Sequence, residues 1–327
     1  MTGGLPRVVA TNRVFAETRA LFDGRAMLFA PQTDTPLSGE SRLAELRDAD
    51  GMMAFMTDNI DAALLAECPR LRVIGAALKG HDNIDLAAAN RAGVTVCIVP
   101  DLLTVPTAEI AIGLMIALGR HIVTADREIR EEGFSGWRPR FYGTGIAGTT
   151  VGIIGHGAVG RAIAARLAGF DACVLTHDPG DGDGADSLDA LLGAADWVIL
   201  AAPLIPGNLH LIDAAALARM KPGALLVNPA RGSLVDETAL AAALEGGRLA
   251  GYAADVFECE DAINPDRPSS VTPRLAAPGA PTVLTPHIGS AVESVRRDIE
   301  HAAATAILDS LSGRAPAGRV SGPERQC

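Results

Sequence analysis

At 327 residues the chain is too long for one core and divides most economically into two domains. Its 48% hydrophobic and 20% charged residues exclude a disordered or fibrous protein. The net charge of −11 argues against nucleic acid and anionic membranes as partners, so an anionic ligand must be drawn in by a local basic patch.

Residues 7–100 alternate short apolar runs (7–11, 26–30, 51–56, 71–77 and 94–99) with stretches of helical spacing (41–46, 62–67 and 86–91). That alternation predicts a parallel sheet flanked by helices. Pro100 to Pro106 breaks the pattern and reads as a hinge, after which Thr107 is placed to cap a long apolar helix over 108–130. Residues 133–148 read as a loop rich in aromatic and basic side chains, among them Phe134, Trp137, Arg138, Arg140, Phe141 and Tyr142. A second βαβ series covers 151–288, with strands at 151–154, 172–177, 197–201, 224–228, 251–256 and 282–285. A last helix, 291–311, crosses back onto the first domain, and the Gly/Pro-rich tail 313–327 reads as disordered.

The five cysteines, Cys68, Cys97, Cys173, Cys259 and Cys327, have neither zinc-site nor disulfide spacing, so no metal is expected and a reducing cytoplasm is. The N-terminus lacks a signal-peptide core, and the longest uncharged apolar run, 110–119, is too short to span a bilayer.

One stretch organises the rest. Residues 151–154 form an apolar run that enters a turn in which Gly155, Gly157 and Gly160 fall at G-x-G-x-x-G spacing, with His156, Ala158 and Val159 between them. The first glycine permits the tight turn, the second lets the backbone approach a pyrophosphate, and the third lets helix and strand pack closely. A tight turn without ligand is the competing reading, but a strand precedes, a helix follows, and the next strand ends in Asp178, where an acid meets a ribose. A carboxylate there accepts from the 2′-hydroxyl of NAD and repels the 2′-phosphate of NADP, and 179–184 offer no Arg or Lys to offset it. NAD is the expected cofactor.

Three further strand ends carry chemistry. Arg231 follows the strand at 224–228, Glu260 lies beyond 251–256, and His287 follows 282–285. At one sheet edge, the histidine can move a proton, the carboxylate can fix its tautomer, and the guanidinium can hold an anion bidentately. A structural ion pair competes for Arg231, a solvated loop acid for Glu260, and a satisfied core histidine for His287.

The glycine turn, the run Asn228 to Glu237 and the run Thr285 to Gly289 resemble the NAD-dependent D-2-hydroxyacid dehydrogenase family over nearly the whole chain. The resemblance implies two doubly wound α/β domains. These are a Rossmann dinucleotide-binding domain at 102–290 and a discontinuous, flavodoxin-like substrate domain from 1–101 and 291–327. It implies a homodimer with a cleft active site, and catalytic Arg231, Glu260 and His287. Within the family, the runs 51–56, 76–83, 99–109, 136–139 and 251–258 look like the phosphite (phosphonate) dehydrogenases. Cys259 departs from that pattern in replacing a methionine, and 179–186 is shorter than usual.

By this resemblance Met56, Lys79, Gly80, Arg231 and His287 hold the substrate, with Trp137 and Tyr142 near the cleft and Arg296 adding positive potential. The cofactor is lined by the glycine turn, Asp178, Lys79, Leu103 and Thr107. Ala201, Ala202, Pro203, Pro229, Ala230, Asp255 and Gly289 complete the lining, with Asp255 toward the carboxamide. The implied reaction is NAD-dependent oxidation of phosphite to phosphate: Lys79 and Arg231 bind the anion, His287 deprotonates water, and hydride leaves phosphorus. An alternative assigns Arg231 as base. The competing activities are a D-2-hydroxyacid dehydrogenase or glyoxylate/hydroxypyruvate reductase, and a non-catalytic NAD-sensing protein. His210 carries no functional signal at this level.

Overall fold

A computed structural model describes residues 4–99, 101–179 and 187–322. Pro100 of the expected hinge, most of the shortened stretch after Asp178, and Cys327 lie outside the described residues. In chain order the elements are β1 (Arg7–Ala10), α1 (Ala16–Phe22), β2 (Met27–Phe29), α2 (Gly39–Leu46), β3 (Gly51–Ala54), α3 (Ala62–Ala66), β4 (Val73–Ala76), α4 (Leu86–Arg91) and β5 (Thr95–Cys97). There follow α5 (Thr104–Gly119), α6 (Ile122–Glu132), β6 (Thr150–Ile154), α7 (Ala158–Leu167), β7 (Cys173–His177), α8 (Leu188–Ala194), β8 (Trp197–Leu200) and α9 (Ala214–Arg219). The chain continues through β9 (Ala224–Asn228), α10 (Glu237–Glu245), β10 (Leu249–Ala254), β11 (Thr282–Leu284), α11 (Glu293–Leu311) and β12 (Arg319–Ser321).

Two compact units result, one running to Leu103 and resuming at Ala291, the other spanning Thr104–Ser290. The first holds a sheet of order β2-β1-β3-β4-β5-β12, the second a sheet of order β7-β6-β8-β9-β10-β11. All pairings are parallel except β12 with β5. Each sheet therefore reverses strand order once, between β1 and β3 or between β6 and β8, and a crevice at the carboxyl ends of such a pair is where α/β sheets bind ligands.

Strands buried on both faces explain why they read as unbroken apolar runs. In the first unit Met52 and Ile74 pack with Leu46, Ile60 and Leu65 on one side, and Met53 and Val73 with Phe22, Ile299 and Ile307 on the other. In the second, Val198 and Leu226 face Leu191, Leu217 and Leu240, while Ile153 and Ile199 face Met115, Ile163 and Leu167. Each fully buried aliphatic side chain contributes about 1.5–3 kcal/mol. Five helices start on a side-chain cap: Asp61, Asp85, Ser187, Asp213 and Asp236 each accept an N–H from the first turn at 2.8–3.2 Å.

Three expectations are corrected. The helix after the hinge starts at Thr104 rather than beyond Thr107, because Pro106 sits in the first turn, where no N–H partner is required. It stops at Gly119 and restarts at Ile122 after a 59° bend, with His121 left-handed at φ 53°. The cause lies far along the chain: Thr144 N–H takes the Gly119 carbonyl at 2.9 Å. The tail is ordered through β12, whose Arg319 and Ser321 pair with Cys97 and Val96; polar composition does not reveal an edge strand. Among the described residues no single helix is long and apolar enough to cross a membrane, and in the bent pair α5 and α6 that passes together half of the residues of α5 are buried in the protein.

Candidate active site

The fit for a dinucleotide can be judged from the glycine turn. Gly155 has φ +98°, and a methyl there would stand 2.5 Å from the Ala202 nitrogen. Only glycine lets the turn after β6 lie against Ala201 and Ala202 after β8, at the strand-order reversal. At Gly160 a methyl would lie 2.0 Å from the Gly155 carbonyl oxygen, so this glycine seats α7 on the turn. Gly157 differs. It caps α7, and a methyl there would meet nothing within 4 Å. Open space over the free N–H groups of Ala158, Val159 and Gly160 is a cradle for a diphosphate. Asp178, directly after β7, accepts the His156 N–H at 2.7 Å.

The remaining candidates of this unit follow strands of the same sheet: Ala201, Ala202 and Pro203 after β8, Pro229, Ala230 and Arg231 after β9, Asp255 and Glu260 after β10, His287 and Gly289 after β11. Asn228 is fully buried and shapes its turn, donating to the Arg231 carbonyl at 2.7 Å and accepting from Ala230 N–H at 3.1 Å. Arg231 donates to the Ala230 carbonyl at 2.8 Å. The helical turn Gly232–Leu234 then lies against the turn Glu258–Glu260, so close that a methyl on Gly232 would overlap the Phe257 carbonyl carbon at 1.8 Å. Ser233 N–H adds a bond to Asp261 at 2.7 Å.

Glu260 uses both oxygens. Oε1 accepts the Phe257 N–H at 2.8 Å, and Oε2 lies 2.6 Å from His287 Nδ1. With Nδ1 donating to the carboxylate, Nε2 is the atom that can give or take a proton. His287 is left-handed at φ 55°, a conformation a non-glycine residue keeps only where its surroundings impose it. Asp255 imposes it: its carbonyl takes the His287 N–H at 2.8 Å, Oδ1 accepts from Thr285 Oγ1 at 2.6 Å and Ile288 N–H at 2.8 Å, and Oδ2 from Gly289 N–H at 2.6 Å. Asp255, expected to face the cofactor, is buried and clamps the histidine loop. Thr107 of α5 belongs here too, since a methyl on Gly289 would come 3.7 Å from its Oγ1.

Met56, Lys79, Gly80 and Leu103 belong to the other unit. Met56 follows β3, and Lys79 and Gly80 follow β4, at the carboxyl end of the first sheet. Leu103 packs into the core beside Phe22 and Ile299. Arg296 donates to the Ala77 carbonyl at 3.3 Å and lies over the Phe55 ring. Tyr142 is misplaced by the sequence reading: it borders a cavity of about 250 Å³ with Gly119, Leu225, Ala250 and Thr282, at the amino ends of the second sheet, opposite to the glycine turn. Trp137 is 80% exposed. Cys259 turns toward the core, and burial pushes its thiol up. No cluster of metal-ligating side chains occurs among the described residues.

A dinucleotide turn, a His–Glu pair and an arginine at one sheet edge define a nicotinamide-dependent oxidoreductase fold. Residues 112–289 match the D-isomer specific 2-hydroxyacid dehydrogenase NAD-binding domain, and the chain belongs to that family. A glyoxylate reductase from Pyrococcus furiosus is 35% identical over 85% of this chain and 84% of its own length. The TT0316 protein from Thermus thermophilus has a solved structure that superposes with a TM-score of 0.86 at 32% identity, covering 96% of this chain and 99% of that one. An NADPH-dependent glyoxylate/hydroxypyruvate reductase from Sinorhizobium meliloti, in complex with NADP and malonate, gives a TM-score of 0.81 at 26% identity, covering 99% and 100%.

These relatives overturn phosphite oxidation as the expected reaction. That reading leaned on Lys79 as a second cation beside Arg231. A cation complements the carboxylate of a keto acid as well as it does phosphite, so the charge pattern never separated the two.

Proposed function

We propose that the protein is an NAD-dependent glyoxylate/hydroxypyruvate reductase, converting a small 2-oxo acid to its 2-hydroxy acid, in the D form where the product is chiral. The relatives named glyoxylate reductase support this reading, and the observation that carries it is the 2.6 Å contact between His287 Nδ1 and Glu260 Oε2. The glycine turn, Asp178 and the loops after β8 and β9 would hold the dinucleotide, which when bound supplies the hydride. Arg231 binds the substrate carboxylate through its guanidinium fork and orients the keto group. His287 Nε2 delivers a proton to the keto oxygen as it becomes a hydroxyl, and Glu260 holds the ring in the required tautomer. In the oxidative direction the same atom takes the proton back.

The test is consumption of NADH with glyoxylate and with hydroxypyruvate, with the configuration of the glycerate formed read by chiral chromatography. Turnover of both acids is expected, with D-glycerate formed from hydroxypyruvate. Failure on both acids would overturn the reading.

A homodimer in the cytoplasm is part of the same proposal. Ile122, Val123 and Ile129 on α6, with Phe134 (77% exposed), Trp137 (80%) and Tyr142 (77%) just beyond, offer an apolar surface suited to a second copy. The four described cysteines are unpaired thiols, which suits a reducing compartment. Light scattering showing a monomer at micromolar concentration would remove the dimer.

A further inference from the structure

Two short turns carry the charged groups of the candidate site, and one residue outside both ties them together. Gly232–Leu234 follows Arg231, and Glu258–Glu260 ends on the carboxylate that meets His287. His210 donates its backbone N–H to the Ser233 carbonyl at 2.8 Å, while its Nε2 lies 2.5 Å from Glu258 Oε1. It does this with φ at 53°, a left-handed backbone that a histidine keeps only where its contacts over-determine it.

Glu258 is buried and gripped from its other side. Its N–H donates to Glu237 Oε1 at 3.0 Å, its Oε2 accepts the Glu237 N–H at 3.3 Å, and Glu237 Oε2 accepts from Thr272 N–H at 3.1 Å. Glu237 has no exposed surface. Two carboxylates are thus set into the core side by side, and among the described residues His210 is the side chain hydrogen-bonded to them. A buried carboxylate deprived of such a donor costs its full desolvation, so the turn around it must move to find water.

We propose that His210 is a positioning residue for the Glu260–His287 pair. By fixing Glu258, it sets the one-turn segment that aims Glu260 at His287 Nδ1. Its backbone bond to Ser233 keeps the Arg231 turn in register with that segment. The inference rests on His287 as the proton donor of the proposed reaction.

The experiment compares His210→Ala and His210→Asn in the full chain, alone and combined with Glu260→Ala. Asparagine tolerates the left-handed backbone and keeps a side-chain N–H. His210→Ala is expected to lower kcat for glyoxylate roughly tenfold to a hundredfold, as misplacement of a catalytic group by about 1 Å does. The NADH dissociation constant should hold, and His210→Asn should recover much of the loss. In the Glu260→Ala background, which has no acceptor left for His287 Nδ1, His210→Ala should cost nothing more, because the path it acts through is gone. Losses that multiply, or NADH binding that falls in parallel, would overturn the proposal. A second readout needs no turnover: the His287 Nδ1–H proton resonance, assigned by its disappearance in His287→Gln, should shift or broaden in His210→Ala and return in His210→Asn. An unmoved resonance overturns the inference. If the wild type reduces neither keto acid, the proposed reaction falls while the resonance still decides this point. Should His210→Ala not fold, His210→Asn and His210→Gln carry the same comparison.

Discussion

Asp178 accepts the backbone N–H of His156 at 2.7 Å, which fastens the acid at the end of β7 to the glycine turn at the end of β6. A carboxylate at this place can accept from ribose hydroxyls, while its charge opposes a 2′-phosphate. Asp178→Ala should therefore lower kcat/KM with NADH and raise it with NADPH. A charge-assisted hydrogen bond is worth about 1.5–3 kcal/mol, so the NADH/NADPH ratio should fall about tenfold to a hundredfold. Steady-state kinetics with both cofactors at fixed glyoxylate measures it. An unchanged ratio would show that Asp178 serves the turn and not the ribose.

Gly157 and Gly160 stand three residues apart and should fail differently. A methyl at Gly160 meets the Gly155 carbonyl oxygen at 2.0 Å, so Gly160→Ala forces α7 off its turn. Overpacking of this kind costs about 1–3 kcal/mol and should lower Tm by several degrees. A methyl at Gly157 meets nothing of the protein within 4 Å. Gly157→Ala should melt like the wild type yet bind NADH about tenfold or more weaker, read by fluorescence titration, since the added methyl enters the space assigned to the diphosphate. Unimpaired NADH binding by Gly157→Ala would move the cofactor elsewhere.

His287 and Glu260 invite a graded comparison. His287→Gln removes the group that moves a proton and should lower kcat by about a hundredfold to ten-thousandfold, with NADH affinity intact. Glu260→Gln keeps an acceptor for Nδ1–H, and so the tautomer, while losing the charge. Its loss of kcat should be smaller than that of His287→Gln. Equal losses would mean the carboxylate does more than hold the ring.

What the sequence disclosed follows from range along the chain. The strands were readable because burial on both faces leaves apolar runs such as Val151–Ile154, and the glycine turn because backbone geometry at Gly155 admits no other residue. His287 could be placed because it directly follows β11. The clamp that Asp255 places on the histidine loop left no local mark, because its bonds to Thr285, Ile288 and Gly289 cross between strands. The break before Ile122 depends on Thr144, and the tail strand on Cys97, so neither leaves a local mark. His210 escaped for the same reason, its partners lying at Ser233 and Glu258. The substrate was misjudged because Lys79 and Arg231 announce an anion without saying which.

Glu300 offers a pH test of the first unit. α1 has no side-chain cap of its own, and Glu300 of α11 supplies one, its Oε2 accepting from Phe15 N–H and Thr18 Oγ1, both at 3.0 Å. Burial pushes its carboxyl above the usual 4.5, against the opposing pull of those bonds and of Arg296 and Arg297. A carboxyl with a raised native value contributes its full stability below its unfolded value and loses it as pH rises through the native one. At neutral pH the fold therefore carries the penalty of the buried charge. Glu300→Gln keeps an oxygen acceptor for Phe15 and Thr18 without that charge. Its Tm should equal or exceed that of the wild type at pH 7, with the difference shrinking as pH falls toward the ordinary carboxyl value of 4.5, the native side chain having taken up its proton above that value. Thermal unfolding of both proteins across this range reads the effect. A wild-type advantage that grows with rising pH would show that the charge itself holds α1 to α11, with Arg296 and Arg297 outweighing the cost of burial.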